Sequence, residues 1–205
     1  AFKAKQLIKR LSIENTRHYP TSLIGVFHYM HITDEQLARY KKAGFLIVEN
    51  FLSKEEQEAA LDGIFSLFAP PYDRWVANNR ENDTANQGLF PWDHSGLNHV
   101  TTHPDLVNAA ERILGTREIR LGEGHLGMKY AGQEHNTNFH IDYGNNTLGP
   151  LIDPDDFMHL ACFYCFDDVT IDTAPIRMVP NGHPDEEFVA MVVPGGSVCL
   201  YSVFT

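Results

Sequence analysis

Pro194-Gly195-Gly196-Ser197-Val198-Cys199-Leu200-Tyr201-Ser202-Val203-Phe204 is the stretch whose reading decides the fold. Pro194-Gly195-Gly196 is a turn signal. The apolar, β-branched and aromatic run after it reads as a strand over 197–204. Moving towards the N-terminus, further strands are expected at 187–193, 175–180, 157–166, 136–143 and 119–129. Short strands at this spacing suggest a sandwich or jelly roll, so the expected class is mainly β (α+β).

The front of the chain has a helical texture. Thr33-Asp34-Glu35-Gln36 and Ser53-Lys54-Glu55-Glu56 both carry the capping-box pattern. The first predicts a helix stopping at Gly44, followed by a short buried strand, Phe45-Leu46-Ile47-Val48. The second predicts a helix with an apolar face of Leu61, Ile64, Phe65 and Phe68, ended by Pro70-Pro71. Pro104 opens a third helix that runs to Leu114 and stops at Gly115. The polar stretch from Tyr72, with Trp75, Phe90 and Trp92 embedded, reads as a lid-like loop over 72–100. Its aromatic residues suit either a ring-bearing or lipid-like substrate or a hydrophobic seat for the lid. Leu148 to Asp156 reads as a second loop.

At 205 residues and 23.2 kDa, the chain reads as one domain, 1–205. It divides into an N-terminal extension (1–32), a helical front (33–116) and a strand-rich core (117–205). A net charge of −11 argues against a nucleic-acid partner, since no basic stripe exists to neutralise phosphates. The Lys3, Lys5, Lys9, Arg10 cluster reads as a solvated helix face. No apolar run approaches the ~20 residues that span a bilayer. Three cysteines suggest a reducing, cytoplasmic setting. Cys162 and Cys165 have C-x-x-C spacing but lie in an apolar strand, so both read as core packing.

The chemistry concentrates in Asn136-Thr137-Asn138-Phe139-His140-Ile141-Asp142-Tyr143. On a strand, positions i and i+2 share a face, so His140 and Asp142 would project side by side. An imidazole nitrogen and a carboxylate oxygen so placed supply two-thirds of the 2-His-1-carboxylate facial triad for Fe(II). The chain holds two other His-x-Asp triplets, at His103 and His183. Each has a proline at its centre: His103-Pro104-Asp105 fits a helix start and His183-Pro184-Asp185 a turn. Polar surface residues on a strand are the plain alternative for 140–142.

The order of these motifs resembles the phytanoyl-CoA dioxygenase-like family. Thr33 to Leu52 matches its opening helix and G-[FY]-[LV]-[IV]-x-x-F-L strand. The likeness continues through the Pro104–Gly115 helix, Met128-Lys129-Tyr130, His140-x-Asp142 and Phe166-Asp167-Asp168-Val169-Thr170. Met178-Val179-Pro180-Asn181-Gly182-His183 follows where the family reads V-P-G-S-H, and Pro194-Gly195-Gly196 resembles the turn before its last metal-bearing strand.

The resemblance implies a double-stranded β-helix (jelly roll, cupin-like) core with N-terminal helices packed outside. It implies an Fe(II)/2-oxoglutarate-dependent dioxygenase that oxidises a small organic substrate with O2, releasing succinate and CO2. His140 and Asp142 would be metal ligands, and Lys129 would touch the co-substrate, a strand lysine in solvent being the alternative. Related halogenases replace the carboxylate with a small residue, so Asp142 favours hydroxylation or a similar oxidation. The family's distal histidine and its Arg for 2-oxoglutarate are expected just beyond Thr205, with both chain ends shortened.

The remaining candidates read as follows. His159 is a half-buried strand histidine, and His183 holds a structural turn position. His125 and His135 flank the strand before His140 and are expected to line the pocket mouth, while His94 and His99 belong to the lid. Arg177 is either an outward strand residue or an inward carboxylate binder. Two other functional readings stay open: a non-catalytic jelly-roll binding module, and a cupin-type metalloenzyme that pairs His140 with His125 or His159 and does not use 2-oxoglutarate.

Overall fold

Thr33 accepts the Gln36 amide proton on its side chain at 3.1 Å, and the Gln36 side chain accepts from the Thr33 amide at 2.8 Å. This reciprocal cap satisfies donors that the first helical turn leaves open. It starts α1 (Asp34–Ala43), which ends at Gly44 with φ 84°. That left-handed conformation favours glycine, and the space there demands it too: a Cβ would lie 2.1 Å from Thr205 Oγ1. β1 (Phe45–Val48) follows. Ser53 and Glu56 form the second box, at 2.9 and 3.2 Å, and start α2 (Lys54–Leu67). These findings come from a computed structural model, which describes residues 31–68, 90–122, 124, 126–132, 138–142 and 159–205.

The loop expected over 72–100 ends in a helix, α3 (Ser95–Thr101); residues 72–89 and the loop at 148–156 lie outside the described residues. Close approach explains why α3 stays in place with no side-chain cap. A Cβ on Gly96 would sit 2.5 Å from the Ala59 carbonyl oxygen, and one on Gly63 would sit 2.7 Å from Leu97. Glycine on both helices lets α2 and α3 meet nearly backbone to backbone. Trp92 and Phe90 pack edge to face at 5.7 Å, with Trp92 buried, so these lid aromatics hold the segment down. α4 (Pro104–Leu114) begins with its proline and stops at left-handed Gly115.

β2 (Leu160–Cys165), β3 (Arg177–Met178), β4 (Val189–Ala190) and β5 (Ser197–Ser202) are the further strands among the described residues. All pairing is antiparallel. β5 lies between β1 and β2, with Phe45 opposite Tyr201 and Cys165 opposite Ser197; β3 pairs with β4. Among the described residues the result is a mixed helix–strand architecture with two antiparallel sheets. The described residues of 119–129 and 136–143 form no strand, and the described strands do not close into a barrel. At 138–142 the Asn138 carbonyl accepts a side-chain hydrogen bond from His140 Nδ1 at 2.8 Å.

β5 is buried on both faces, with Val198, Cys199 and Leu200 fully inaccessible. Side chains alternate along a strand, so it serves two cores. Val198 and Leu200 join Leu46, Ile64, Leu97 and Val100 on the helix side. Cys199 and Tyr201 join Phe45, Met178, Met191 and Val193 on the other. Each such apolar side chain contributes roughly 1.5–3 kcal/mol by leaving water. Cys162 and Cys165, three apart on β2, face opposite ways. Cys162 is exposed, which corrects its reading as core, while burial pushes the Cys199 thiol up to about 12.

Candidate metal centre

The face of β5 turned away from the helices carries Tyr201, only 7% exposed. Its ring stacks on Phe163 at 4.8 Å with 6° between planes. The ring is apolar and buried, but a phenol hydroxyl in such a place needs a partner. It finds one in Asp142, donating to Oδ2 at 2.8 Å. A cleft of about 940 Å3 opens here, walled by Lys129, His140, Asp142, Phe163, Arg177 and Tyr201 among others.

The structure brings His140 and Asp142 together, with Nε2 3.6 Å from Oδ1 and both side chains partly exposed. The remaining contacts locate the imidazole proton. A carbonyl oxygen only accepts, so the Asn138 contact requires the proton on Nδ1 of His140. In the neutral ring, Nε2 then carries a lone pair. Tyr201 occupies Oδ2 of Asp142, leaving Oδ1 as the second lone-pair atom. Two acceptors facing each other call for a cation, either a proton or a metal ion. An imidazole nitrogen with a carboxylate oxygen suits a borderline first-row metal such as Fe(II). By chemistry the donor set fits that metal.

Lys129 lines the same cleft and donates from Nζ to the Ala174 carbonyl at 2.7 Å. Burial lowers its pKa, opposed in part by Cys165. Arg177 lies on β3 with its guanidinium 4.8 Å from the Phe139 ring centre and 5.5 Å from that of Phe188. His183 is at the rim, paired with Glu187 at 2.8 Å. His159 is exposed just before β2. His125 and His135 lie outside the described residues.

A second cluster lies elsewhere and was not legible in the sequence. Glu56 Oε1 is 2.9 Å from His99 Nε2 and 3.0 Å from His103 Nε2. Among the described residues, these three have ligand atoms grouped as a metal would need, all within 4.8 Å. Their protons argue otherwise. His103 caps α4 by accepting the Asp105 amide on Nδ1 at 3.1 Å, so its own proton sits on Nε2 and points at Glu56. The other Glu56 oxygen accepts from the Ser53 amide and hydroxyl, both at 2.9 Å. Burial disfavours the Glu56 charge, but hydrogen bonds from His99 and Ser53 outweigh it and hold the carboxyl at about 2. This is a clip joining the start of α2 to α3 and α4. His94, at the start of α3, similarly faces Asp62 at 3.3 Å.

Sequence reasoning also missed Tyr201. The available signal was its hydroxyl, set beside the apolar Val198-Cys199-Leu200 run of β5, where it required a polar neighbour.

Comparison with known proteins returns a consistent picture. The family model described as phytanoyl-CoA dioxygenase (PhyH) matches residues 40–197. Among solved structures, the chain is similar to the non-heme alpha-ketoglutarate-dependent carbocyclase SnoK from nogalamycin biosynthesis. The TM-score is 0.62 at 16% identity, covering 84% of this chain and 75% of that one. At that identity the likeness concerns the fold. No curated protein matches the chain.

Proposed function

Because the chain belongs to the phytanoyl-CoA dioxygenase family, we propose that it is a non-haem Fe(II)/2-oxoglutarate-dependent dioxygenase with His140 and Asp142 as metal ligands. The observation that carries this reading is the facing pair of lone-pair atoms, Nε2 and Oδ1, whose opposite ends are already engaged. The same reading takes 1–205 as one domain with a double-stranded β-helix core. The antiparallel sheets and the fold likeness support that architecture.

Iron held here would activate dioxygen for oxidation of a substrate C–H bond coupled to decarboxylation of 2-oxoglutarate. One oxygen atom enters the substrate and the other enters succinate, with CO2 released, so atoms and electrons balance. The chain's own residues perform the rest. The Asn138 carbonyl holds the His140 ring in the ligating tautomer and orientation, as such outer partners do. Lys129, an exposed cation at the cleft wall whose pKa is lowered by partial desolvation, takes a co-substrate carboxylate. Phe163, Ile176, Met178 and Phe204 give the cleft an apolar wall that excludes water and suits a small organic substrate.

The test is succinate formation from 2-oxoglutarate with added Fe(II), in the full-length protein and its His140→Ala variant, with iron affinity measured alongside. Iron-dependent turnover lost in the variant is the expected result. A folded parent protein that neither binds iron nor makes succinate would refute the reading and leave a non-catalytic jelly-roll module.

A further inference from the structure

We propose that Tyr201 is a positioning residue for the metal, acting through Asp142 to tie the ligand carboxylate to the central strand of the sheet. The inference rests on the reading of His140 and Asp142 as ligands and adds what fixes their geometry.

Asp142 needs such a tie. Its segment, 138–142, has no strand ladder, and its side chain is 44% exposed. A carboxylate so placed can rotate both oxygens away from His140. Tyr201 stands on the opposite footing. It lies on β5, hydrogen-bonded on both sides to β1 and β2, with Phe45 and Ala161 as register partners. Its ring is stacked on Phe163 and packed among Met178, Met191 and Val193. A tyrosine has few rotatable bonds, so a locked ring gives a locked hydroxyl. At 2.8 Å that hydroxyl donates to Oδ2, and an ionised carboxylate can only accept.

Two consequences follow. The bond sets the rotation of the carboxylate, so Oδ1 is the oxygen turned to His140 Nε2. It also engages Oδ2, which disfavours a carboxylate that grips the metal with both oxygens and so preserves positions for co-substrate and dioxygen. Packing alone does not account for the hydroxyl. A phenylalanine would fill the same apolar space, and the oxygen adds the bond to Asp142.

The experiment titrates Co(II), a visible-absorbing stand-in for Fe(II), into metal-free full-length protein. It compares the parent with Tyr201→Phe, Phe163→Leu, His140→Ala and Asp142→Ala, and follows the ligand-field bands, the dissociation constant and Tm. Outer partners of metal ligands typically change affinity about 10–100-fold. Tyr201→Phe is expected to lose affinity in that range and to shift the cobalt bands while keeping the parent Tm. Phe163→Leu, which loosens the stack but keeps the hydroxyl, lowers Tm with a smaller loss of affinity. Unchanged affinity and spectrum in Tyr201→Phe, or equal losses in it and Phe163→Leu, would overturn the positioning role. Retained cobalt binding in both His140→Ala and Asp142→Ala would instead overturn the ligand reading beneath it.

Discussion

His140 and His103 each stand beside a carboxylate, and the partner on Nδ1 sets them to opposite tasks. His140 gives its Nδ1 proton to a carbonyl and keeps Nε2 free. His103 receives an amide proton on Nδ1 and sends its own Nε2 proton to Glu56. Glu56 is saturated, with Ser53 on one oxygen and two histidines on the other. Asp142 has one oxygen engaged and the other facing an acceptor. The tighter cluster, at 2.9 and 3.0 Å, is therefore the poorer metal site, and the looser pair at 3.6 Å the better one. Ligand atoms have to be judged by where the protons are, not by distance alone.

The largest expected effect tests that contrast directly. His140→Ala or Asp142→Ala should reduce Fe(II) affinity, measured by anaerobic calorimetry, by on the order of 100-fold or more, exceeding what outer partners contribute. His103→Ala should leave it unchanged within about twofold. A comparable loss in His103→Ala would break the comparison and return the metal to the helix clip.

How far the sequence reached follows the same division between local and distant determinants. Both capping boxes, the Pro104 start and the Gly115 stop are written within a few neighbouring residues, and all appear in the structure. So does β5, announced by Pro194-Gly195-Gly196. His140 and Asp142 were legible as a pair because two positions suffice to place them, although the strand expected to carry them is absent from 138–142. α3 escaped because seven residues without a side-chain cap depend on Gly63 and Gly96 meeting across helices. The clip escaped because Glu56 reaches residues 43 and 47 positions away. No local period or spacing encodes such a contact, and the same holds for Tyr201 and Asp142, 59 apart.

Stability should sort the two clusters in the reverse order. Glu56→Ala removes the α2 cap partner and leaves the buried His103 donor without its acceptor, at a cost of roughly 2–4 kcal/mol by urea denaturation. His140→Ala, on a partly exposed side chain, should cost under about 0.5 kcal/mol. The pH dependence has a definite sign. The Glu56 carboxyl is held at about 2 when folded, below its ordinary value of 4.5. Its contribution is therefore complete above the ordinary carboxylate range and is lost as pH falls through the folded value. The gap in stability between the parent and Glu56→Gln should thus be widest near pH 6 and narrow steadily from about pH 5 towards 2. A gap that stays constant across that range would mean the charge contributes nothing and the clip acts by shape alone.

The smallest effect separates the two histidines within the clip. His99 is half exposed, and its contact with Glu56 competes with water, so His99→Ala should cost less than about 1 kcal/mol. His103 is 7% exposed, packs against Phe51 at 5.3 Å and also caps α4, so His103→Ala should cost more, about 1–3 kcal/mol. His103→Asn divides that figure, because asparagine is a good helix cap but too short to keep the imidazole's reach to Glu56. If the cap carries most of the cost, Asn restores most of the stability; if the proton donated to Glu56 carries it, Asn falls close to Ala. Equal costs for His99→Ala and His103→Ala would mean that the placement of the His103 proton has no energetic weight, and the tautomer contrast with His140 would lose its support on this side of the molecule.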